Sequence, residues 1–156
     1  PKALTKIKEI ERRAKKELPL SARGVSTHND FLLQNFLVGS PKRIYLLDFE
    51  YAGFNMRKGI SYDFGFLFAD NLFRKPPITK KLFEEFLNIV EKEYKRRLNR
   101  TQIYWCAVAA LLVQVWWGIL RYFSVSLKER PYFKEYVQKR VQGVLKLYEE
   151  LKEKES

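Results

Sequence analysis

The run from Trp105 to Leu120 most constrains what this chain can fold into, because it is apolar throughout except for Gln114. A helix that is apolar on every side must be enclosed by other elements or by lipid. Spanning a bilayer takes about 20 apolar residues, more than this run offers. It therefore reads as the central buried helix of a compact body, continuing to Phe123, with no membrane span. Of the 156 residues, 46% are hydrophobic and 15% aromatic, enough for a sizeable core in one domain covering residues 1–156 and unlike a disordered chain.

The rest of the pattern supplies the enclosure. Ala3 to Leu18 places Leu4, Ile7, Ile10, Ala14 and Leu18 near helical spacing among charges, an amphipathic helix stopped at Pro19. Val25 to Asn35 holds no helical period and reads as a short strand entering a polar loop. Phe36-Leu37-Val38, Gly39 to Lys42 and Arg43 to Asp48 read as strand, turn and strand, and Gly53 to Ile60 as a loop. Ser61 is the expected cap of a helix reaching Phe73, which Pro76-Pro77 closes. Thr79 is the expected cap of the next, with Leu82, Phe83, Phe86, Leu87 and Val90 inward. Asn99 to Thr101 is a break, and a last amphipathic helix runs from Pro131 to Lys152 with the proline in its first turn. The expected class is α+β, mainly α: a small β-hairpin carrying polar residues on a helical body.

Thirty Lys and Arg against eighteen Asp and Glu leave a net charge of +12. That surplus favours polyanions, whether nucleotide phosphates, nucleic acid or an anionic membrane surface. Much of it is mixed with Glu on helical faces, from Lys6 to Glu17 and from Glu91 to Arg97, as on a solvated surface. The basic clusters Arg12-Arg13 with Lys15-Lys16, and Lys95 to Arg97 with Arg100, come without a recognisable nucleic-acid-binding motif, so no specific nucleic-acid partner is expected. The lone Cys106 sits in the apolar run as a small core residue and allows no intrachain disulfide. That suits a reducing, cytoplasmic location, and no signal peptide is visible at the charged N-terminal segment.

The polar chemistry is concentrated in two neighbouring stretches, His28-Asn29-Asp30-Phe31-Leu32-Leu33-Gln34-Asn35 and Ile44-Tyr45-Leu46-Leu47-Asp48-Phe49-Glu50. Asp30, on a loop, is the candidate to accept a proton from a hydroxyl; His28 in such a position more often supports the loop backbone. Asn35 offers a neutral oxygen to a hard cation. Period-two spacing on the second strand would turn Asp48 and Glu50 to the same side, towards a shared metal and phosphate site. Mg²⁺ takes oxygen ligands and usually only one or two carboxylates besides phosphate oxygens. Phosphoryl transfer from a Mg-nucleotide needs this set: a group that positions the acceptor hydroxyl and ligands that neutralise the phosphates.

His28-x-Asp30-x4-Asn35 followed by Asp48-Phe49-Glu50 resembles the catalytic and metal-binding motifs of the aminoglycoside phosphotransferase and choline kinase superfamily, small-molecule kinases with a protein-kinase-like fold. Protein kinases carry H-R-D-x-x-x-x-N and D-F-G. Asn29, Leu32 and Glu50 depart from those motifs towards the small-molecule branch. Asp48 to Asn55 is similar to the choline and ethanolamine kinase form. The resemblance implies ATP and Mg²⁺ as cofactors and a small hydroxyl-bearing acceptor, such as an amino alcohol. It implies Asp30, with His28 beside it, as the catalytic pair; Asn35 and Asp48 as metal and nucleotide ligands; Glu50 as a second-metal ligand; and Asp63 as the brace of the catalytic loop.

For the acceptor, Asp70, Trp117 and Tyr136 look like the carboxylate and aromatics that line the choline pocket in that family, where aromatic faces attract a quaternary ammonium. Leu120 stands where the family has its second tryptophan, and extra residues separate Asn55 from Asp63. The aromatics read equally as core for Trp117 and Tyr136, and Trp116 reads as core. The family's N-terminal lobe, with a phosphate-covering loop and a strand lysine, has no counterpart before His28. The expectation is the C-terminal lobe alone, either a piece of a longer kinase or a stand-alone lobe. Exposed apolar residues near Phe31, Phe49 and Phe54 would then invite the missing lobe or self-association. The competing reading is a catalytically inactive kinase-like lobe that serves as an interaction module.

Overall fold

The apolar run lies inside a 25-residue helix, Arg100–Ser124. The computed structural model describes residues 2–21, 24–41, 43–56 and 59–153; Pro1 and Lys42, the last residue of the predicted turn, lie outside them. The described elements are α1 (Lys2–Glu17), β1 (Val25–Thr27), a 3₁₀ turn (Leu33–Asn35), β2 (Phe36–Gly39), β3 (Arg43–Leu46), β4 (Gly53–Asn55), α2 (Ile60–Asn71), α3 (Lys80–Tyr94), α4 (Arg100–Ser124) and α5 (Arg130–Glu153).

The central helix α4 begins earlier than the sequence pattern indicates. Asn99 caps it, its side chain accepting from Gln102 N at 2.9 Å. At its full length α4 is long and apolar enough to cross a membrane by those criteria, yet 67% of its most apolar window is buried inside the fold. The burying partners are the inner faces of α1, α2 and α5: Ile7, Ile10 and Ala14 from α1, Phe64 to Ala69 from α2, and Val144, Leu147 and Leu151 from α5. Protein shields most of the helix from Ile103 to Val115, as its apolar pattern requires, but from Trp116 on only Gly118 is buried, so the expected burial up to Phe123 does not hold for the last turns.

Helix α2 is buried almost all round and packs on α4 at Gly65, where an added Cβ would stand 2.6 Å from the Ala107 backbone nitrogen. Its N-cap is Gly59, with no side-chain cap bond, so Ser61 is not the cap. Ser61 is buried within the first turn and its hydroxyl accepts from Gln102 Nε2 at 2.9 Å. Thr79 does cap α3, accepting from Leu82 N at 3.2 Å. Phe83 and Leu87 anchor α3, and Arg100 ties it to α4 by reaching Glu84 at 2.8 Å and Glu91 at 3.1 Å.

The strands form two antiparallel ribbons. One pairs β2 with β3 from Phe36↔Leu46 to Gly39↔Arg43, as the strand–turn–strand pattern indicates. The other pairs β1 with β4 from Val25↔Asn55 to Thr27↔Gly53, so Gly53 to Asn55 is a strand and not a loop. Strand β3 ends at Leu46. Asp48 follows in a left-handed conformation with φ 62°, and Glu50 lies in a turn, so the two do not share one strand face. Trp116 is exposed rather than core; Trp105 is the tryptophan enclosed at the centre.

Candidate active site

The loop from His28 to Leu32 is fixed from several sides. Asp63, in the first turn of α2, accepts from His28 N and Asn29 N, both at 2.9 Å. Burial pushes its carboxyl above the usual range, against the two N–H bonds that favour its charge. The His28 ring is buried, and its Nε2 lies 2.8 Å from the Leu47 carbonyl, which makes Nε2 the protonated nitrogen and the donor. Its ring also meets Phe49 edge-on at 4.8 Å. His28 thereby joins the loop to the segment after β3 and does not line the cleft.

Asn29 is a hub that the motif reading passed over. It adopts φ 62°, a conformation asparagine tolerates better than most side chains. Its Oδ1 accepts from Thr27 Oγ1 at 2.7 Å and from Asn55 Nδ2 at 3.3 Å, while its Nδ2 donates to the Tyr51 carbonyl at 2.9 Å. One side chain locks the loop to the β1–β4 ribbon. The signal in sequence was an asparagine between His28 and Asp30, a residue type suited to a left-handed position.

Asp30 follows, half-buried on the cleft wall. Asn35 Nδ2 donates to its carbonyl at 2.9 Å and to its Oδ2 at 3.1 Å. Burial raises the Asp30 carboxyl above the ordinary range and the Asn35 bond opposes the rise; the charges of Asp48 and Asp70 raise it further. Asn35 is in turn brought beside the β3 end, because Leu47 N donates to its carbonyl at 2.8 Å, one residue before Asp48. The Asn35 side chain is thus fixed beside Asp30, and its backbone beside the segment that carries Asp48.

Of these three, Asp30 alone borders a cleft of about 910 Å³ between the loop, the turn at Glu50 and Tyr51, and helices α2, α4 and α5; Asn35 is buried behind it. Asp30, Glu50, Asp70, Trp117 and Tyr136 line it, whereas Asp48 does not and stands exposed at its edge of the hairpin. Tyr62 lines it too, its phenol pushed up to about 12 by burial, so it is a neutral donor at ordinary pH. Gln114 and Arg140 form part of the same wall. The Arg140 guanidinium is stacked between Phe73 at 4.1 Å and Tyr136 at 4.0 Å, donates to Gln114 Oε1 at 3.0 Å and faces Asp70 at 3.7 Å. Asp70 also has Arg74 at 3.6 Å. Asp70 and Tyr136 thus meet an internal cation, a neighbour that the sequence pattern alone did not reveal.

Among the described residues no three His, Cys, Asp or Glu side chains converge as an all-protein metal site. The donors present are hard oxygens: the Asn35 amide, whose nitrogen is already engaged by Asp30, and the Asp48 carboxylate, with Glu50 across the turn. Such a set fits Mg²⁺, which takes few protein ligands and keeps phosphate oxygens or water for the rest.

No curated protein matches the chain in sequence. Among solved structures, choline kinase from Cryptosporidium parvum Iowa II superposes with a TM-score of 0.55 over 97% of this chain and 44% of its own, at 16% sequence identity. The chain therefore spans less than half of that kinase, and the likeness establishes the fold: the helical lobe of a kinase-like architecture with its small β-hairpin. A family model described as "Phosphotransferase enzyme family" matches residues 1–99, which include the loop, the hairpin and the start of the cleft. That match takes in well over half of the sequence, and the chain belongs to the phosphotransferase enzyme family.

Proposed function

We propose that this lobe serves ATP-dependent phosphoryl transfer to a hydroxyl of a small molecule, an amino alcohol of the choline or ethanolamine kind or a related acceptor. The observation that carries the reading is Asp30, held by Asn35 at 3.1 Å on a loop braced by Asp63 and aimed at a cleft of about 910 Å³. Asn35 occupies Asp30 Oδ2, so the acceptor proton is taken at Oδ1. As the acceptor oxygen bonds to the γ-phosphorus, the bond to the departing ADP breaks and the proton passes to Asp30. The raised carboxyl of Asp30 makes it a better proton acceptor than an ordinary aspartate. Asn35 and Asp48 would hold Mg²⁺, with Glu50 available to a second ion. Mg²⁺ would supply neutralisation of the phosphate charge and orientation of the transferred group. Asp70, Trp117 and Tyr136 would face the acceptor.

The groups that clamp the nucleotide phosphates from above are, in this proposal, supplied from outside residues 1–156. The coverage of less than half of the choline kinase supports that view, as do the apolar Val38 on β2 and Phe54 on β4, which are 75% and 78% exposed. The same exposure favours a second reading, an inactive lobe that binds a partner through this face. Turnover of Mg-ATP on a panel of small alcohols by the whole gene product separates the two. Activity lost in Asp30→Ala with nucleotide binding kept supports the kinase; activity unchanged in that variant removes Asp30 as the base.

A further inference from the structure

The outer face of α4 stays uncovered where the helix leaves the core. Leu120, Phe123 and, in the following turn, Leu127 are 70%, 71% and 77% exposed, and Trp116 stands on the same side. Val113 and Trp117 continue this stripe into the cleft mouth. An apolar patch of this kind on a folded surface marks an interaction site.

Its surroundings identify the occupant. From Val113 to Lys134 the cations are Arg121, Lys128, Arg130 and Lys134, against Glu129 alone. Glu129 is engaged by the Ser126 hydroxyl at 2.7 Å in the turn. Arg121 lies over the Trp117 and Phe133 rings at 5.9 and 5.6 Å, and Arg130 over Tyr122 at 5.6 Å. Aliphatic and aromatic tips surrounded by Lys and Arg are the composition of surfaces that sit at the boundary of lipid headgroups and acyl chains. A second copy of this chain docked face to face would oppose the same cations to themselves. Stacked bases would use the aromatics and leave Leu120 and Leu127 without partners.

We propose that the C-terminal end of α4 and the turn into α5 dock on an anionic membrane surface, with the helix lying in the interface plane rather than spanning it. The mouth of the cleft would then open beside the lipid headgroups. The proposal does not depend on the phosphoryl-transfer reading.

Flotation of the protein with phosphatidylcholine vesicles, with and without phosphatidylglycerol, tests it. Binding is expected to the anionic vesicles and to fall at high salt. The double variant Leu120→Ser with Phe123→Ser should weaken it by about tenfold or more. Val38→Ser with Ile44→Ser, on the hairpin, should leave binding intact; circular dichroism checks that both variants are folded. Absent binding, equal binding to neutral vesicles, or loss only in the hairpin variant overturns the proposal. So does light scattering that finds a dimer which Leu120→Ser with Phe123→Ser converts to a monomer.

Discussion

Asp30 is held in a place where its charge is costly. Burial raises its carboxyl, and the Asp48 and Asp70 charges add to the rise. The folded state therefore holds a proton on Asp30 more tightly than the unfolded chain, whose aspartates titrate near about 3.9. The stability associated with the neutral form is full below that pH and is lost as pH rises through the higher folded value. Asp30→Asn keeps an acceptor for Asn35 and removes the charge. It should raise the melting temperature at pH 7, with the difference vanishing below about pH 3.9, while turnover in the whole enzyme falls by about 10² to 10⁴. A variant no more stable than wild type at neutral pH would show that the Asn35 bond outweighs burial. Asp63 presents the opposite balance of uses. Asp63→Ala leaves two buried N–H groups without an acceptor, and about 2–4 kcal/mol of stability should be lost in denaturant unfolding. The motif residues were legible because their types and spacing are dictated by chemistry. The roles of Asn29 and Arg140 were not, because both depend on contacts made across the fold, to Tyr51 and Asn55 in one case and to Phe73, Gln114 and Asp70 in the other.

At the scale of elements, the tight seam is α2 on α4. Gly65 meets Ala107 N at 2.6 Å and Cys106 at 2.7 Å from the position of an added Cβ, and two of those atoms are backbone, which cannot swing aside. Gly65→Ala should force the helices apart and cost about 3 kcal/mol. Gly53→Ala, with nothing within 4 Å of its added Cβ, should stay within about 0.5 kcal/mol. Equal melting temperatures for the two variants would refute the tight seam. Helix α4 was readable from its run of apolar residues, α3 from Thr79 and α5 from Pro131, since each signal is local. Strand β4 escaped because Gly53 and Asn55 are poor strand formers, and because its partner β1 is distant in sequence, the pairs running from Thr27↔Gly53 to Val25↔Asn55. Ser61 misled for a related reason. Its hydroxyl is spent on Gln102 of α4, a tertiary bond that no helix-start pattern anticipates.

The whole molecule divides into a helical core and a hairpin that rests on it. Helices α1, α2 and α5 enclose α4, and Ile103, Trp105, Val108 and Leu111 of α4 are almost fully buried. No residue of β2 or β3 is buried. The apolar area that stabilises the fold is therefore concentrated around α4, while the hairpin is held by its ladder, by the Leu47 N bond to Asn35 and by the His28 bond to Leu47. A segment with few buried contacts opens at a lower free energy than the core. The position of Asp48 is set by this less protected segment, so metal and nucleotide would gain part of their ordering effect by closing it. Hydrogen exchange followed by mass spectrometry should find the amides of residues 36–46 exchanging by local opening, well before those of residues 103–115, which should exchange only with global unfolding. Adding Mg-ATP to the whole gene product should slow the hairpin amides and leave the α4 amides unchanged. Equal protection of the two segments in the free protein would mean that hairpin and core unfold as one unit, and that Asp48 is as rigidly placed as Asp30.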